Sequence, residues 1–534
     1  MSKYKLNRCL LASTVLYSFI SGNVIAANPK ITAYYLSGPA AQVDSQEYYA
    51  SLDNFKKLSR DIAKNKSNFN TLVLSFVQPG LVNYEKNSLK CSGLFGYTCI
   101  SGQTISTGEA ENARSDFVTL KGIIADLKSH GVGTYIAVGG WNFSCYPKIY
   151  DITAKKKEAC GNEPGAVYDI FPNPMTKIPR FDSSITGKAA DDVYRNIVNL
   201  AADLDVAGID VDYEEFWHAD INAKSWKLTP DSIKVPSNNS ETFMTSTLIA
   251  KGLGGYVYDA SMNIVPGAER IPRAMPATVD KFAAILTSFY TSINAVKPSL
   301  QLSTAGPATG GIPNMSANWG TNARNSDIYG GAWWGGNLYG LIYNTALSYP
   351  KIINRLSYIG VMTYDLSEKD CGFIGGGETY IPCDLPGQVK YYYGQYINWL
   401  KSGNEVVTFH VKLKGARNYA QASVQPQKLL VLPPITVGFE VGKPATGNLP
   451  LTKAKLNSIL DGTIKYGKTG LIMWDLFKKE RYDGNNWKNE WATPNDVLSI
   501  ACKKIGLTGE HYNCDSSVPT PEPVPAFTKR KNQD

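Results

Sequence analysis

Three acidic residues at alternate positions are the strongest chemical feature of the sequence. Asp210, Asp212 and Glu214 are separated from one another by single apolar or aromatic residues. Because alternate side chains of a β-strand share one face, a strand here would point all three carboxyl groups in one direction. Like charges held this close disfavour one another's ionisation, so one group is expected to keep its proton near neutral pH. The pattern favours acid–base catalysis over the alternative, a solvated acidic edge strand, because the intervening apolar residues indicate an interior strand.

The bulk composition describes a globular protein. The chain has 534 residues, 43% of them hydrophobic and 19% charged, and a net charge of +8. This length allows one large domain with insertions or two to three ordinary domains. The positive charge is spread along the chain, without a long basic run interleaved with aromatic residues, so nucleic-acid binding is not predicted.

The N-terminus has the features of an export signal. A basic start is followed by the apolar stretch Cys9–Ile20 and by small residues at Val24–Ala27 that suit cleavage. The sequence therefore predicts a signal peptide over residues 1–27 and a secreted or periplasmic protein. No later segment reaches the ~18 apolar residues of a membrane-spanning helix, so no membrane anchor is expected once the signal is removed.

The cysteine count agrees with an oxidising compartment. Nine cysteines are present, and removal of the signal leaves an even number, which suggests disulfides although sequence cannot fix their connectivity. We expect neighbours in the chain to pair: Cys91–Cys99, Cys145–Cys160, Cys371–Cys383 and Cys502–Cys514. The four histidines are scattered and the cysteine spacing is not CxxC. Neither a metal site nor a cofactor is predicted.

Short strand-like runs alternate with longer amphipathic runs along the chain. The predicted strands are Ile31–Leu36, Thr71–Val77, Thr134–Val138, the acidic strand at 208–214, Leu300–Thr304, Tyr358–Tyr364, Leu429–Val437 and Gly470–Trp474. The predicted helices are Gln46–Lys64, Asp116–His130, Asp191–Leu204, Val279–Val296, Val389–Leu400, Lys453–Tyr466 and Asn495–Lys504. Such alternation implies a parallel sheet. Because a glycine-rich dinucleotide turn is missing, these units favour a closed (β/α)8 TIM barrel over a doubly wound sheet.

A barrel of this kind needs ~250 residues, so about half of the chain must lie in insertions. The longest are expected at Phe216–Ala277, Gly306–Ser357 and Glu368–Gln427. Insertions after strands lie at the C-terminal mouth of a barrel, where we expect them to form the walls of a cleft. The catalytic barrel is predicted over residues 28–514, and the proline-rich tail 515–534 is predicted to be a linker with a polar end.

The acidic strand resembles the signature of glycoside hydrolase family 18, which includes many chitinases. The family pattern Asp-Gly-x-Asp-x-Asp-x-Glu is matched at Gly208, Asp210, Asp212 and Glu214, while Ala207 replaces the first aspartate. Further segments are similar to family motifs in the family's order. They are Ala33–Tyr35 (first strand, Gly-Tyr-Tyr), Ala137–Trp141 (Ser-x-Gly-Gly, with Ala137 for serine), Met362–Asp365 (Met-x-Tyr-Asp) and Gly470–Trp474 (final strand).

The resemblance implies roles for individual residues. Glu214 stands at the position of the general acid, Asp212 where the substrate acetamide is oriented, Asp210 at its supporting partner, and Tyr364 at the acetamide-binding tyrosine. The implied substrate-binding positions are Trp474 beneath the sugar, with Asp365, Met362, Tyr34, Trp141, Gly139 and Gly140. Ala137 and Ala207 remove two usual polar neighbours of the acidic set, which leaves Tyr34 as the expected support of Asp210.

The implied activity is a chitinase that cleaves β-1,4 bonds between N-acetylglucosamine units. A second carboxylate with a nucleophile's motif is not evident, so the resemblance implies that the substrate's own acetamide oxygen attacks, with retention. The expected partner is chitin or chitooligosaccharide, bound by a monomer. Two alternatives stay open: an endo-β-N-acetylglucosaminidase acting on N-glycans, and a catalytically weak chitin-binding lectin.

Several aromatic positions also have a structural alternative. Trp474 could pack in the core, and Tyr364 with Asp365 could cap a helix at the end of a strand. Trp333 and Trp334, which precede two glycines, could form a stacking platform or the core of a loop.

Overall fold

A computed structural model gives the fold of most of the chain outside its N-terminal segment and its longest loops. It describes residues 29–37, 47–48, 51–99, 106–140, 143, 171–175, 185–215, 276–311, 338, 340–366, 368, 372–374, 379–402, 407–411, 420–424, 433–445, 447–463, 469–481, 487–517, 519, 521 and 524–525. The predicted signal peptide and Trp141, Trp333 and Trp334 lie outside these residues.

Eight parallel strands form a closed barrel in which chain order and spatial order agree. The strands are β1 (Ile31–Leu36), β2 (Thr71–Val77), β3 (Gly133–Gly139), β4 (Gly208–Asp212), β5 (Gln301–Pro307), β6 (Ile359–Met362), β7 (Ile435–Glu440) and β8 (Leu471–Trp474). Each pairs with the next, and β8 pairs with β1 to close the cylinder. The predicted (β/α)8 TIM barrel is confirmed.

A helix follows each strand in the described part of the chain. The main helices are α1 (Leu52–Asn65), α2 (Thr107–Ser129), α3 (Lys188–Asp203), α4 (Pro276–Val296), α5 (Leu341–Ser348), α6 (Leu385–Ser402), α7 (Lys453–Thr463) and α8 (Pro494–Ile505). Shorter helical segments lie at Leu94–Gly96, Ala308–Gly311, Pro350–Ile353 and Lys478–Arg481. Short antiparallel pairs join Gly372–Ile374 to Thr379–Ile381 and Val407–Val411 to Ala420–Val424. None of the described helices combines the length and apolar character needed to cross a membrane.

The strands are buried on both faces, which explains their continuous apolar runs. Every residue of β1 and β2 is buried, since one face packs in the barrel interior and the other under the helices. The helices begin where local side chains can satisfy their first N–H groups. Ser51 accepts from the Asn54 N–H at the start of α1, and Ser106 forms a capping box with Glu109 at the start of α2.

Some predicted boundaries were wrong for identifiable reasons. The seventh strand begins at Ile435, after Pro433 and Pro434, because neither proline has an N–H to donate to the sheet. The first helix begins at its cap Ser51, several residues later than predicted. Helix α5 lies within the segment predicted to be an insertion between β5 and β6, so part of that insertion belongs to the barrel's own outer layer.

Two of the predicted disulfides are formed in the described residues. Cys91 pairs with Cys99 and Cys502 pairs with Cys514, at Cα separations of 4.7 and 5.3 Å. The other two predicted pairs each include a cysteine outside the described residues.

The beginning of the predicted tail is attached to the barrel. The Asn68 side chain donates to the Ser516 carbonyl at 2.8 Å, and the Ser516 hydroxyl donates to the Asn65 carbonyl at 2.5 Å. Further along, Val524–Pro525 pairs antiparallel with Glu47–Tyr48, which lies between β1 and α1.

A buried ion pair joins α4 to the chain just after β4. The Lys281 ammonium lies 2.7 Å from a Glu215 carboxylate oxygen, and both side chains are fully buried. Glu215 also accepts from the Phe171 N–H at 2.5 Å and from the Tyr213 hydroxyl at 3.2 Å. A buried charge is costly unless it is paired and hydrogen-bonded, so this arrangement fixes the backbone on either side of Glu214.

Replacing Lys281 by methionine is expected to lower the free energy of unfolding by about 3–5 kcal/mol, because the Glu215 charge would remain buried without its partner. Chemical or thermal unfolding monitored by circular dichroism measures this loss. Adding Glu215→Gln should recover much of it, since an amide still accepts from Phe171 and Tyr213. Lys188→Met is the matched control: its partner Asp192 is also 2.7 Å away, but the lysine side chain is 86% exposed, so little change is expected. Equal losses in Lys281→Met and Lys188→Met would contradict this account.

Candidate active site

The carboxyl ends of the strands bring acidic side chains from three strands into one region. Asp210 and Asp212 lie on β4 and Glu214 follows it, Asp365 follows β6, and Glu440 ends β7. All five are buried. Strand β4 is hydrogen-bonded on both sides, to β3 and to β5. The alternative of a solvated acidic edge strand is therefore excluded.

Asp210 is the deepest acid and has a complete set of hydroxyl partners. It is fully buried; the Tyr34 hydroxyl donates to Oδ2 at 2.6 Å and the Ser303 hydroxyl donates to Oδ1 at 2.5 Å. Burial raises the pKa of Asp210, while the hydrogen bonds from Ser303 and Tyr34 and the charge of Lys30 act in the opposite direction. The expected support from Tyr34 is present, and a second donor shares it.

Lys30 immediately precedes β1, at the opposite end of the barrel from Glu214. The Lys30 ammonium donates to the Gln301 side-chain oxygen at 2.7 Å and to the Tyr135 hydroxyl. It also lies over the rings of Tyr135 and Tyr358, at 4.5 and 5.0 Å from their centroids. Burial lowers the pKa of Lys30 to about 8, against the opposing influence of Asp210. At neutral pH this cation partly balances the carboxylates above it.

Asp212 and Glu214 form a proton-sharing pair. Burial, and then the charge of Asp210, raise the pKa of Asp212 to about 8. Burial, followed by the charges of Asp212 and Asp365, raises the pKa of Glu214 well above its usual range. The two side chains are within hydrogen-bond reach, which for two carboxyl groups requires that one is protonated. Repulsion between neighbouring carboxylates, which the spacing predicts, therefore contributes to the raised pKa of Glu214, but burial is the larger cause.

One oxygen of this pair has no partner in the protein. Asp212 Oδ1 is buried, and no donor from the described residues reaches it. A carboxyl oxygen buried without a donor is costly, which agrees with burial as the largest cause of the raised pKa of Asp212.

Tyr364 and Asp365 follow β6 on the same side of the barrel as the pair. Tyr364 is partly buried, and burial, then the charges of Asp212 and Glu214, raise the pKa of its hydroxyl well above 10. The hydroxyl therefore keeps its proton at neutral pH and can donate a hydrogen bond. Asp365 is buried with a left-handed backbone (φ 56°), and its charge contributes to the raised pKa of Glu214.

Trp474 ends β8 between two aromatic rings and stays partly exposed. Its indole stacks on Phe76 at 5.5 Å with an interplanar angle of 27°, and Tyr34 contacts it edge-on at 5.8 Å. These contacts combine the two roles considered for this residue, since a ring fixed by core packing is also a rigid surface for stacking.

Gly139 and Gly140 act through the backbone. Both have positive φ, and the Gly140 N–H donates to the Asp212 carbonyl at 2.9 Å. A Cβ on Gly139 would lie 2.3 Å from that same carbonyl oxygen. Glycine is needed here because β3 approaches the end of β4 too closely for a side chain, and this contact fixes the backbone of Asp212.

The remaining predicted residues occupy less direct positions. Met362 is buried at the end of β6, opposite Pro307 in the ladder. Ala137 is opposite Asp210 in the ladder between β3 and β4, and the Ala207 N–H donates to the Thr134 carbonyl at 2.7 Å.

Two acidic-site neighbours were missed by the sequence analysis. Ser303 was predicted only as part of a strand, and serine has no motif that marks it. Glu440 lay beyond the predicted end of the seventh strand; it pairs with the Lys478 ammonium and accepts from the Ala445 N–H at 3.1 and 3.2 Å. Its charge contributes to the raised pKa of Tyr364. A correct boundary for β7 would have placed Glu440 at the barrel mouth.

Comparison with known proteins gives only structural likenesses. No model of a protein family matches the chain, and no curated protein matches it in sequence. The catalytic domain of a hyperthermophilic chitinase from Pyrococcus furiosus is 10% identical, with 90% of this chain and 99% of that one covered and a TM-score of 0.37. The C-terminal domain of ChiA from Legionella pneumophila is 10% identical (85% and 94% covered, TM-score 0.37). The ICChI chitinase from Ipomoea carnea is 9% identical (89% and 99% covered, TM-score 0.34).

These likenesses are too low to carry an argument about activity. The strand pairing of the closed barrel establishes the fold independently of them. Within the described residues, no group of three or more His, Cys, Asp or Glu side chains is arranged to hold a metal ion.

Asp212→Asn is expected to be more stable than wild type, by a margin in the free energy of unfolding that increases as pH rises from about 4 toward 8. An unfolded aspartate ionises near pH 3.9, whereas in the folded protein the pKa of Asp212, which shares a proton with Glu214, is raised to about 8. Across this window the folded state binds more protons than the unfolded state, so the wild type loses stability with increasing pH through this group, and the asparagine variant does not.

Thermal unfolding of both proteins between pH 3 and 9 measures the difference. The advantage of the variant should be absent at pH 3, increase up to about pH 8 and then level off. Asp61→Asn makes the same substitution at a residue of α1 whose side chain is 33% exposed, and it is the control for the chemical change itself. A constant difference between wild type and Asp212→Asn at all pH values would contradict the assigned pKa.

Proposed function

We propose that this chain is a glycoside hydrolase that cleaves β-1,4 bonds between N-acetylglucosamine units with retention, that is, a chitinase. The observation that carries the proposal is the buried Asp212–Glu214 pair, which holds a proton at neutral pH. Glycoside cleavage needs a carboxylic acid that is still protonated at working pH, and the pair meets this need. The sequence motifs shared with glycoside hydrolase family 18 support the same choice.

Glu214 is the proton donor in this mechanism. Its proton passes to the glycosidic oxygen as the bond between that oxygen and the anomeric carbon breaks. The acetamide carbonyl oxygen of the same sugar attacks the anomeric carbon from the opposite face, giving a bicyclic oxazolinium ion. Water then attacks the anomeric carbon on the first face and gives a proton to the Glu214 carboxylate, while the bond to the acetamide oxygen breaks. Two inversions give net retention.

Asp212 and Tyr364 act on the acetamide group. Asp212 Oδ1, which no donor from the described residues reaches, would become accessible on substrate binding and accept the acetamide N–H. This contact would orient the carbonyl oxygen for attack and stabilise the positive charge that develops on the amide. The Tyr364 hydroxyl, which keeps its proton, would donate to the acetamide oxygen. A substrate without an acetamide group leaves both partners unsatisfied, so the site favours N-acetylated sugars.

Trp474 supplies the floor beneath the reacting sugar. Because Phe76 and Tyr34 fix its indole ring, stacking on a pyranose face would cost little conformational entropy. Asp365, close enough to influence Glu214, would contact the neighbouring sugar.

Export fits the same function. Chitin is an insoluble extracellular polymer, and disulfides persist in oxidising compartments. The Cys91–Cys99 and Cys502–Cys514 disulfides, together with the predicted signal peptide, support a secreted or periplasmic enzyme.

Glu214→Gln is expected to lower kcat on chitotetraose by at least ~10²–10⁴, because the amide cannot donate the proton, while binding is retained. Reducing-end release measures the rate, and calorimetric titration with chitotetraose measures binding. Glu510→Gln makes the same chemical change on a side chain that is 86% exposed and should behave as wild type. Near-normal activity in Glu214→Gln would remove Glu214 from the proposed role.

Proton NMR of fresh wild-type products is expected to show the β-anomer first, since substrate assistance gives retention. An α-anomer appearing first would exclude the mechanism. Parallel assays on a high-mannose glycopeptide separate the related activity: release of the glycan without cleavage of chitotetraose would identify an endo-β-N-acetylglucosaminidase. Binding of chitin without any release of reducing ends would identify a lectin.

A further inference from the structure

The support of Asp210 is unequal on its two sides. In the barrel ladder, Asp210 is paired with Ala137 of β3 and with Ser303 of β5, and both neighbours are fully buried. Partners in a parallel ladder point to the same face of the sheet, so both neighbours face the barrel interior beside the carboxyl group. Alanine offers only a methyl group, whereas serine offers a hydroxyl donor.

The Ser303 hydroxyl is committed to the carboxylate. It lies 2.5 Å from Asp210 Oδ1 and 3.5 Å from the nearest backbone alternative, the Ile209 carbonyl. The adjacent residue behaves differently. The Thr304 hydroxyl donates to a backbone acceptor of the neighbouring strand, the Val211 carbonyl, at 2.6 Å. Ser303 therefore makes a contact that strand geometry alone does not require.

The two hydroxyls together fix the plane of the Asp210 carboxyl group. Tyr34 donates to Oδ2 and Ser303 donates to Oδ1, so each oxygen has its own donor. Without Ser303, Oδ1 would lose this donor. The titratable and charged groups that otherwise face Asp210 are Tyr34, Lys30, Tyr135, Tyr358 and Asp212, of which Tyr358 also contacts Ser303. A carboxylate oxygen buried without a donor is strongly unfavourable, and the group would rotate or take up a proton.

We propose that Ser303 is a positioning residue of the carboxyl set, which orients Asp210 and favours its ionised form from the β5 side, whereas Ala137 on the β3 side offers no donor. The inference rests on the proposed function and adds to it a residue outside the acidic motif. Ser303 does not touch the substrate; it acts through Asp210.

Ser303 influences the Asp212–Glu214 pair through the charge of Asp210. The charge of Asp210 contributes to the raised pKa of Asp212, and Asp212 shares its proton with Glu214. If Asp210 becomes easier to protonate, this repulsion weakens, and the Asp212–Glu214 pair gives up its proton at lower pH. Loss of the Ser303 hydroxyl should therefore move the alkaline limb of the rate profile to lower pH as well as slow the reaction.

The test uses the full chain and four variants: Ser303→Ala, Ala137→Ser, the double variant and Thr304→Val. For Ser303→Ala we expect kcat on chitotetraose to fall about tenfold with little change in KM, and the alkaline limb to move to lower pH. The double variant should regain rate and pH profile because Ala137→Ser offers the hydroxyl from the opposite strand. Thr304→Val, which removes a hydroxyl bonded only to backbone, should keep the wild-type pH profile.

A second measurement does not depend on activity. Infrared titration of protein carrying ¹³C-labelled aspartate follows protonation of buried aspartic acids directly. An additional aspartic acid should take up its proton at higher pH in Ser303→Ala than in wild type, and the double variant should reverse this. Thermal unfolding identifies a variant that fails to fold, in which case Ser303→Cys, which retains a weak donor of similar size, replaces it.

The outcomes separate the two proposals. If wild type cleaves chitotetraose but Ser303→Ala changes neither the pH profile nor the carboxyl titration, the role of Ser303 is overturned and the proposed function stands. If wild type cleaves no N-acetylglucosaminide while Ser303→Ala still shifts the carboxyl titration, the proposed function fails and the support of Asp210 by Ser303 stands. A slow Ser303→Ala that the double variant does not rescue would also count against the inference.

Discussion

The whole site depends on the cost of keeping several acids out of water. Asp210, Asp212 and Glu214 are buried in the barrel. Within the described part of the chain, Asp210 accepts from the hydroxyls of Tyr34 and Ser303 and interacts with the distant charge of Lys30. The three acids receive unequal numbers of hydrogen-bond donors. Asp210 receives a donor for each oxygen, whereas Asp212 and Glu214 must share a proton. Asp210 and Asp212 are two residues apart on one strand, or about 6–7 Å at about 3.3 Å per residue. Because only Asp210 has a donor for each oxygen, the pair formed by Asp212 and Glu214 keeps a proton at neutral pH.

Contacts from the surrounding elements fix the positions of these acids and of Trp474. Gly139 and Gly140 allow β3 to contact the backbone of Asp212, and the Glu215–Lys281 pair fixes the chain on the outer side of Glu214. Phe76 and Tyr34 hold Trp474. Each of these contacts comes from a different strand or helix, so a small displacement of one element changes the environment of the acids. Close packing of the neighbouring residues limits such displacements.

Much of this could be predicted from the sequence, and the limits were physical. Alternation of acidic and apolar residues predicted β4, and continuous apolar runs predicted β1 and β2. The regular alternation of such strands with helices indicated the barrel. Side chains that act without a motif could not be found: Ser303 is an ordinary strand residue until the ladder places it beside Asp210. Glu440 was missed because two prolines obscured the limits of β7. The dominance of burial over Asp212 in raising the pKa of Glu214 depends on three-dimensional packing, which spacing along a chain does not contain.

Closure of the barrel has a consequence for when the acids acquire their unusual pKa values. Strand β8 follows the other seven strands in the chain and closes the cylinder by pairing with β1, the first of them. The raised pKa values of Asp212 and Glu214 come first from burial, so they belong to the folded barrel. In the unfolded chain each of these acids ionises as an ordinary aspartate or glutamate would. The same acidic motif therefore differs in its chemistry before and after folding, and any reaction that needs the shared proton requires the closed barrel.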